Sequence, residues 1–176
     1  MDAFPVRRGL AGHDGVVLRR LEEVDWPVEL MLARVEDIPT WTMYPADLDE
    51  DGARLRARRN VRAAEAAHGS RYVIDEGGDA LGTVGFGRSE DGFEVFYALR
   101  PEARGRGLVT SAVAALSAWL GAQGERIVWL STLDGTAASE AVALRCGFTR
   151  FRSGTHFDGR PLTVWSRRLH SKSIAD

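Results

Sequence analysis

The pattern of apolar and polar positions along the chain predicts seven strands and four helices. The strands are short apolar or alternating runs, and they lie at 16–21, 71–74, 80–86, 93–99, 127–130, 149–153 and 162–168. The helices repeat apolar residues every three or four positions, and they begin near Asp25, Asp51, Leu108 and Ala137. Gly69 is expected to close the second helix after His68, because glycine readily adopts the left-handed conformation found at helix ends.

The order of these elements indicates a mixed α/β fold. Three consecutive strands joined by glycine-rich turns predict an antiparallel meander, and the wholly apolar run 127–130 is typical of a central strand. We expect a mostly antiparallel mixed sheet of about seven strands with helices on both faces. Residues 1–15 lack periodicity and are predicted to be a loose lead-in. Residues 16–170 would form the one domain, and 171–176 a tail.

Length and charge restrict the class of protein. The chain has 176 residues, the usual size of one domain, and 44% of them are hydrophobic. Its 23 basic and 25 acidic side chains give a net charge of −2, so it lacks the basic excess with which proteins normally bind nucleic acid. Lys172 is the only lysine, a skew toward arginine that, with the many alanines, indicates a GC-rich bacterial source.

The single cysteine and the short apolar stretches exclude further classes of protein. Cys146 is the only cysteine, so neither an internal disulfide nor a cysteine zinc cluster can form. The histidines are too scattered for metal-ligand spacing. No apolar stretch approaches the roughly 20 residues of a membrane span, and the first residues lack the apolar core of a signal peptide. We therefore expect a cytoplasmic protein without a metal site or a membrane partner.

The segment from Tyr97 to Thr110 carries the strongest chemical signal. A strand ends at Pro101, a loop with alternating glycines follows, and a helix begins near Leu108. In such a loop the backbone N–H groups point into one concavity beside the positive end of the helix dipole. This predicts an anion site for a phosphorylated cofactor, to which two arginines would add charge. The alternative is an ordinary turn with solvated arginines.

Two motifs in this chain resemble those of the GNAT acetyltransferase superfamily. Residues 104–109, Arg-Gly-Arg-Gly-Leu-Val, match the cofactor signature Arg/Gln-x-x-Gly-x-Gly/Ala except at Val109. Ser139 stands eight residues before Gly-Phe, as in the second signature Asn-x-x-Ser, although Thr136 replaces the asparagine. The sequence Tyr-Ala-Leu-Arg-Pro-Glu at 97–102 is most similar to the corresponding segment of the RimJ/RimL branch, the ribosomal-protein N-terminal acetyltransferases. The resemblance covers about residues 16–169.

The resemblance implies a GNAT fold with an acetyl-CoA site and no metal. In that fold the fourth and fifth strands splay apart, so the backbone of one strand is free to pair with the pantetheine amides. The pyrophosphate would lie on the amides of the glycine loop. The implied cofactor-binding residues are Tyr97, Leu99, Arg104, Gly105, Arg106, Gly107, Leu108, Val109, Thr110 and Thr136.

Acetyl transfer also requires proton transfer, because an ammonium group has no lone pair with which to attack a thioester. Ser139, matching the family serine, is the candidate acid for the CoA thiolate; otherwise it caps or packs its helix. Glu94 is the first candidate base, because apolar neighbours would bury it partly and raise its pKa. His156 is the second, since imidazole titrates near neutrality. Both side chains have a simpler interpretation as exposed residues.

The acceptor and the partners remain open at this stage. Trp41 and Tyr44 lie in the connection between the first two helices, which walls the acceptor groove in this fold; they are either groove residues or core aromatics. The acceptor would be a protein N-terminal α-amine or a small-molecule amine, acetylated directly in a ternary complex. A homodimer is a further option. The competing class is a non-catalytic acyl-CoA-binding module.

Overall fold

The computed structural model describes residues 7–169, which form eight strands and five α-helices. The strands are β1 (Arg7–Gly9), β2 (Val16–Arg20), β3 (Gly69–Glu76), β4 (Asp79–Ser89), β5 (Gly92–Leu99), β6 (Ile127–Leu133), β7 (Thr149–Thr155) and β8 (Pro161–Arg168). The helices are α1 (Trp26–Ala33), α2 (Ile38–Trp41), α3 (Glu50–Glu65), α4 (Leu108–Ala122) and α5 (Ala137–Arg145). Short 3₁₀ turns at Glu23–Asp25 and Pro101–Ala103 precede α1 and α4.

All eight strands belong to one sheet in the order β1-β2-β3-β4-β5-β6-β8-β7. Every neighbouring pair is antiparallel except β5 and β6, which are parallel. The parallel pair is joined through α4, which crosses one face of the sheet. The predicted mixed and mostly antiparallel sheet is therefore confirmed, including the meander formed by β3, β4 and β5.

Two boundaries differ from the prediction. Arg7–Gly9 is not loose: it pairs with β2, and because all three residues are exposed, backbone hydrogen bonds rather than apolar side chains form this strand. The second helix ends at Glu65, and Ala67 with a φ of 55° takes the left-handed position expected of Gly69. Residues 1–6 and 170–176 lie outside the described part of the chain, so the rest of the lead-in and the tail stay predictions.

Apolar side chains fill both faces of the sheet. On one face, α4 and α5 cover a large core that includes Phe86, Phe93 and Leu116. On the other face, α1 and α2 pack on a smaller cluster around Leu32, and α3 packs through Ala57. Because side chains alternate along a strand, the central strands β3 and β5 contribute to the cores on both faces. In residues 7–169 no helix is long and apolar enough to cross a membrane.

An ion cluster joins the start of α1 to the sheet. Arg19 on β2 donates two hydrogen bonds to Asp25, at 2.7 and 2.8 Å, and a third to Asp75 on β3, at 3.1 Å. Both carboxylates are buried. Burial alone would raise the pKa of Asp75, but the Gly78 amide and the Arg19 guanidinium hold that pKa below its usual value. These charged hydrogen bonds fix α1 beside the sheet.

Candidate active site

β5 and β6 lie side by side at one end and then separate. Their parallel pairing is limited to Phe93 and Glu94 of β5, although β5 continues to Leu99. On its other edge β5 stays paired with β4 along its whole length. Within the described residues 7–169, the segment 95–99 therefore has no partner strand on the β6 side. This fork confirms the separation expected between the fourth and fifth predicted strands, which are β5 and β6 here.

Tyr97 and Leu99, the two residues predicted to pair with pantetheine, both lie beyond the fork. The Leu99 carbonyl accepts hydrogen bonds from Nε and Nη2 of Arg104, at 3.2 and 3.1 Å. Pairing with pantetheine stays a prediction, and at the Leu99 carbonyl it would replace these two hydrogen bonds.

The predicted phosphate loop joins the fork to the N-terminus of α4. Gly105 and Gly107 have φ angles of 74° and 78°, a region that L-residues rarely adopt. An added Cβ at Gly105 would meet nothing within 4 Å, so the loop is open where an anion would approach. Leu108 and Val109 bury their side chains in the core, and half-buried Thr110 follows them. Their backbone remains at the groove.

The two arginines of this loop are neutralised by carboxylates, which the sequence did not predict. Arg104 forms a bidentate pair with Asp37, at 2.6 and 2.8 Å, and holds the pKa of that carboxyl below its usual value. Arg106 pairs with Glu76 at 3.1 Å and does not line the groove. In this structure the charge of both arginines is therefore balanced by a carboxylate, and the binding of an anion at the loop stays a prediction that rests on its backbone and on the N-terminus of α4.

Sequence reasoning missed His13 at this loop. It comes from the connection between β1 and β2, and its Nε2 lies 3.0 Å from the Ser111 hydroxyl. Its imidazole also lies 3.6 Å from the place that a Cβ on Gly107 would take. Because 98 residues separate His13 from Ser111, no local pattern could have indicated this contact.

One groove of about 1440 Å³ connects the phosphate loop, the fork and the face of the sheet below α3. It brings together most of the predicted site residues. Its lining includes Trp41, Tyr44, Glu94, Tyr97, Leu99, Arg104, Gly105, Gly107, Leu108, Val109, Thr110, Thr136, Ser139 and His156.

Ser139 lies in the first turn of α5, opposite the side chain of Tyr97. Burial raises the pKa of Tyr97 to about 12, and the nearby Ser139 hydroxyl opposes this rise. The Tyr97 oxygen is buried and has no aligned hydrogen-bond partner within residues 7–169. The sequence predicted a role for the Tyr97 backbone only. Thr136 precedes α5, and its hydroxyl donates to the Leu133 carbonyl.

Glu94 is the last residue of β5 that pairs with β6, so its side chain lies at the fork. It is half-buried and lines the groove. Across the sheet its partner on β4 is Gly87, which faces Gly69 on β3. Because neither glycine has a side chain, the floor of the groove beside this carboxylate consists of backbone and the edge of the Phe96 ring, which lies 3.6 Å from the place of a Cβ on Gly87. That leaves room for an acceptor next to Glu94.

His156 reaches the groove from the connection between β7 and β8. Its Nδ1 lies 2.8 Å from Oδ1 of Asp158, and its ring packs on Phe157 with centroids 4.1 Å apart. Arg160, with His156, holds the pKa of Asp158 far below its usual range. Arg160 also donates to the Thr40 carbonyl at 2.5 Å, which ties this hairpin to the segment after α1.

Trp41 and Tyr44 have different environments. Trp41 ends α2, is 41% exposed and lines the groove. Tyr44 is 5% exposed, and its hydroxyl accepts a hydrogen bond from Arg71 at 2.7 Å and lies 3.3 Å from the Thr83 hydroxyl. Burial is the main reason that the pKa of Tyr44 is raised. Tyr44 is thus both a core aromatic and a groove residue.

Comparisons with known proteins agree with this geometry. The family model described as an acetyltransferase (GNAT) domain matches residues 16–149. No curated protein matches the chain.

Among solved structures, the RimL ribosomal L7/L12 α-N-protein acetyltransferase in complex with coenzyme A aligns with a TM-score of 0.83 at 18% identity, covering 93% of this chain and 99% of that one. The microcin C7 self-immunity acetyltransferase MccE, in complex with acetyl-CoA and AMP, aligns at 0.82 and 18%, covering 95% and 98%. A ribosomal-protein-S5-alanine acetyltransferase from Vibrio fischeri aligns at 0.76 and 16%, covering 93% and 96%.

Proposed function

This chain belongs to the GNAT acetyltransferase family, and from that premise we propose that it transfers the acetyl group of acetyl-CoA directly to the α-amine of a protein or peptide N-terminus. The fork between β5 and β6 carries this proposal, because the same groove joins an open strand edge, an anion loop and a carboxylate. The similar structures named for ribosomal-protein N-terminal acetylation support the choice of acceptor.

The residues of the groove fit acetyl-CoA. Gly105 and Gly107 expose backbone to the phosphates at the N-terminus of α4, and the unpaired edge of β5 offers amide partners to the pantetheine arm. Bound in this way, acetyl-CoA supplies a thioester carbonyl that a neutral amine attacks. The chain itself must orient the amine and remove two protons from its nitrogen, one before the attack and one from the tetrahedral intermediate, while the leaving thiolate takes up one proton.

Glu94 is the proposed general base. It lies at the point where the strands part, and the bare backbone of Gly87 leaves the acceptor access to its carboxylate. Glu94 would take a proton from the incoming ammonium, directly or through water. His156 also reaches the groove, but its Nδ1 faces Asp158, and the hairpin that carries it is bound to Thr40. We therefore assign His156 to the acceptor wall.

Ser139 and Tyr97 are the proposed source of the proton for the leaving thiolate. Tyr97 is protonated near neutral pH, as any tyrosine is, and burial raises its pKa further, to about 12. Its hydroxyl faces the Ser139 hydroxyl at the start of α5. The two hydroxyls thus lie near each other on the face of the sheet that α4 and α5 cover, whereas Glu94, three residues before Tyr97 on β5, lies on the opposite face.

The acceptor class is tested by thiol release with matched amines. We expect acetyl-CoA turnover with unblocked peptides, and mass spectrometry should place one acetyl group on the N-terminal residue. The same peptides with a formylated N-terminus and an internal lysine are the control and should not react. Turnover limited to polyamines or aminoglycosides would contradict the proposed acceptor, and acetyl-CoA binding without turnover on any amine would contradict catalysis.

A further inference from the structure

A buried cluster of charged side chains forms the acceptor end of the groove, and neither the cofactor site nor proton transfer uses it. It is centred on Arg71 of β3. In the register of the sheet, Arg71 lies opposite Gly85 of β4, which in turn lies opposite Phe96 of β5. A Cβ on Gly85 would lie 2.6 Å from the Phe96 ring, so only glycine lets that ring extend across β4. The ring lies 4.8 Å from the Arg71 guanidinium carbon.

The cluster contains one carboxylate and two guanidinium groups. Glu29 of α1 is completely buried and accepts hydrogen bonds from Nε of Arg56 and from the Asn60 amide, both at 2.8 Å. These two bonds occupy both of its oxygens. Arg71 is more distant, with Nη1 3.4 Å from Oε2 of Glu29. Glu29 thus pairs with both guanidinium groups, and one carboxylate beside two guanidinium groups leaves one positive charge in excess.

Arg71 has a neutral hydroxyl as its close partner. Its Nη1 donates to the Tyr44 oxygen at 2.7 Å, and its Nε is buried without a hydrogen-bond partner among residues 7–169. The side chain is 10% exposed. A buried cluster with one uncompensated positive charge is costly to keep in a folded protein. Arg71 nevertheless lines the groove, where a ligand can reach it.

We propose that Arg71 binds a carboxylate of the acceptor, so that the enzyme prefers acidic acceptors. This inference rests on the proposed function, which assigns this part of the groove to the acceptor. A single carboxylate matches the single excess charge, and its planar pair of oxygens fits the guanidinium fork.

The surrounding charges favour the same class of acceptor. Arg59, Arg88 and His68 also line this end of the groove. Of the carboxylates that line it, Asp37 is paired with Arg104, which leaves Glu94. A polyamine or an aminoglycoside would bring several positive charges next to these cations. Electrostatic repulsion from the groove therefore disfavours such acceptors.

The register also indicates where the acceptor carboxylate lies. Glu94 and Phe96 are two residues apart on the same face of β5, a separation of about 7 Å along the strand. Arg71 is two strands from β5, roughly 10 Å across the sheet, but its guanidinium and the Phe96 ring approach each other over Gly85. An acceptor that extends along this face could therefore place its amine at Glu94 and its carboxylate at Arg71. This spacing suits an acidic side chain in the first or second residue of a peptide.

The experiment compares peptides that differ only in Glu or Gln at the second position. With wild-type enzyme the KM for the Glu peptide should be about tenfold lower, as expected for one added charge-assisted hydrogen-bond pair. Arg71→Gln should remove this preference, Arg71→Lys should keep part of it, and neither should change acetyl-CoA affinity. Arg58→Gln is the control, because Arg58 is exposed and pairs with Glu23 outside the groove.

Each outcome decides a separate point. Equal KM values for the Glu and Gln peptides would overturn the inference while leaving the acetyltransferase function intact. Absence of acetylation on every peptide would refute the proposed function and the inference with it. Free amino acids and their amides form a third arm: a preference for the free acids that Arg71→Gln abolishes would identify an α-carboxylate as the ligand. The wild-type comparison holds even if Arg71→Gln fails to fold.

Discussion

Glu94 is the residue on which the proposed chemistry depends most, because it stands at the point where β5 leaves β6. Glu94→Gln should lower kcat/KM by about 100-fold, the usual size of a general-base contribution. The acidic limb of the pH–rate profile should disappear, since that limb reports protonation of the base. His156→Ala should keep the limb and change mainly the KM of the acceptor. Loss of the limb in His156→Ala, with a normal profile in Glu94→Gln, would reverse the assignment.

The opposite step, protonation of the thiolate, is tested by two hydroxyl deletions. Ser139→Ala and Tyr97→Phe should each lower kcat without changing acetyl-CoA affinity, since the lost interaction exists mainly in the transition state. The double variant should lose little more than the worse single variant, because the two hydroxyls face each other and act together. Stopped-flow thiol release and equilibrium titration separate the two quantities. Fully additive losses would mean that the hydroxyls act independently.

Some individual residues of the groove could be predicted from the sequence, and others could not, for a physical reason. Ser139 and the loop glycines belong to contiguous motifs, so the residues around them point to their place. Glu29 and Arg71 are 42 residues apart, and each alone resembles an ordinary surface charge. Only the register Arg71–Gly85–Phe96 brings the cluster together, and register between strands depends on long-range pairing.

At the scale of elements, β4 is the strand whose small residues create the groove. A Cβ on Gly85 would lie 2.5 Å from the Ser70 carbonyl and 2.6 Å from the Phe96 ring. Gly85→Ala should therefore destabilise the protein by about 1–3 kcal/mol, as overpacking does, and should weaken acceptor binding. Gly87→Ala is the matched control, because its Cβ would meet Phe96 at an ordinary 3.6 Å. Equal denaturation midpoints for the two variants would contradict the role given to Gly85.

The elements themselves were largely predictable, and the exceptions share a cause. Amphipathic helices such as α4 and apolar strands such as β6 display their environment in their own sequence. β1 is exposed on all three residues, so its strand form derives from pairing with β2 and leaves no apolar pattern. The sequence predicts that α3 ends at Gly69, but the chain turns at Ala67. Ala67 adopts the left-handed conformation there, although alanine seldom does so.

At the scale of the whole molecule, the Arg19 cluster predicts how stability depends on pH. The folded pKa of Asp75 lies below its value in the unfolded chain. The stabilisation from Asp75 is therefore complete above about pH 4, the usual pKa of the unfolded carboxyl, and is lost as the pH falls through the lower folded value. Asp75→Asn should reduce the slope of unfolding free energy against pH in this acidic window. Asp47→Asn, at an exposed loop position, should leave the slope unchanged.

For the molecule as a whole, we propose that the fork and the glycine loop together bind acetyl-CoA. Calorimetric titration of acetyl-CoA into the Gly107→Glu variant tests this most directly. The new carboxylate would lie at the N-terminus of α4, where we propose that the phosphates bind. Gly124→Glu is the control, because Gly124 has a similar φ of 91° and open space but lies after the other end of α4. We predict that Gly107→Glu loses acetyl-CoA binding while Gly124→Glu binds as wild type does. Unchanged affinity in a folded Gly107→Glu variant would contradict the account.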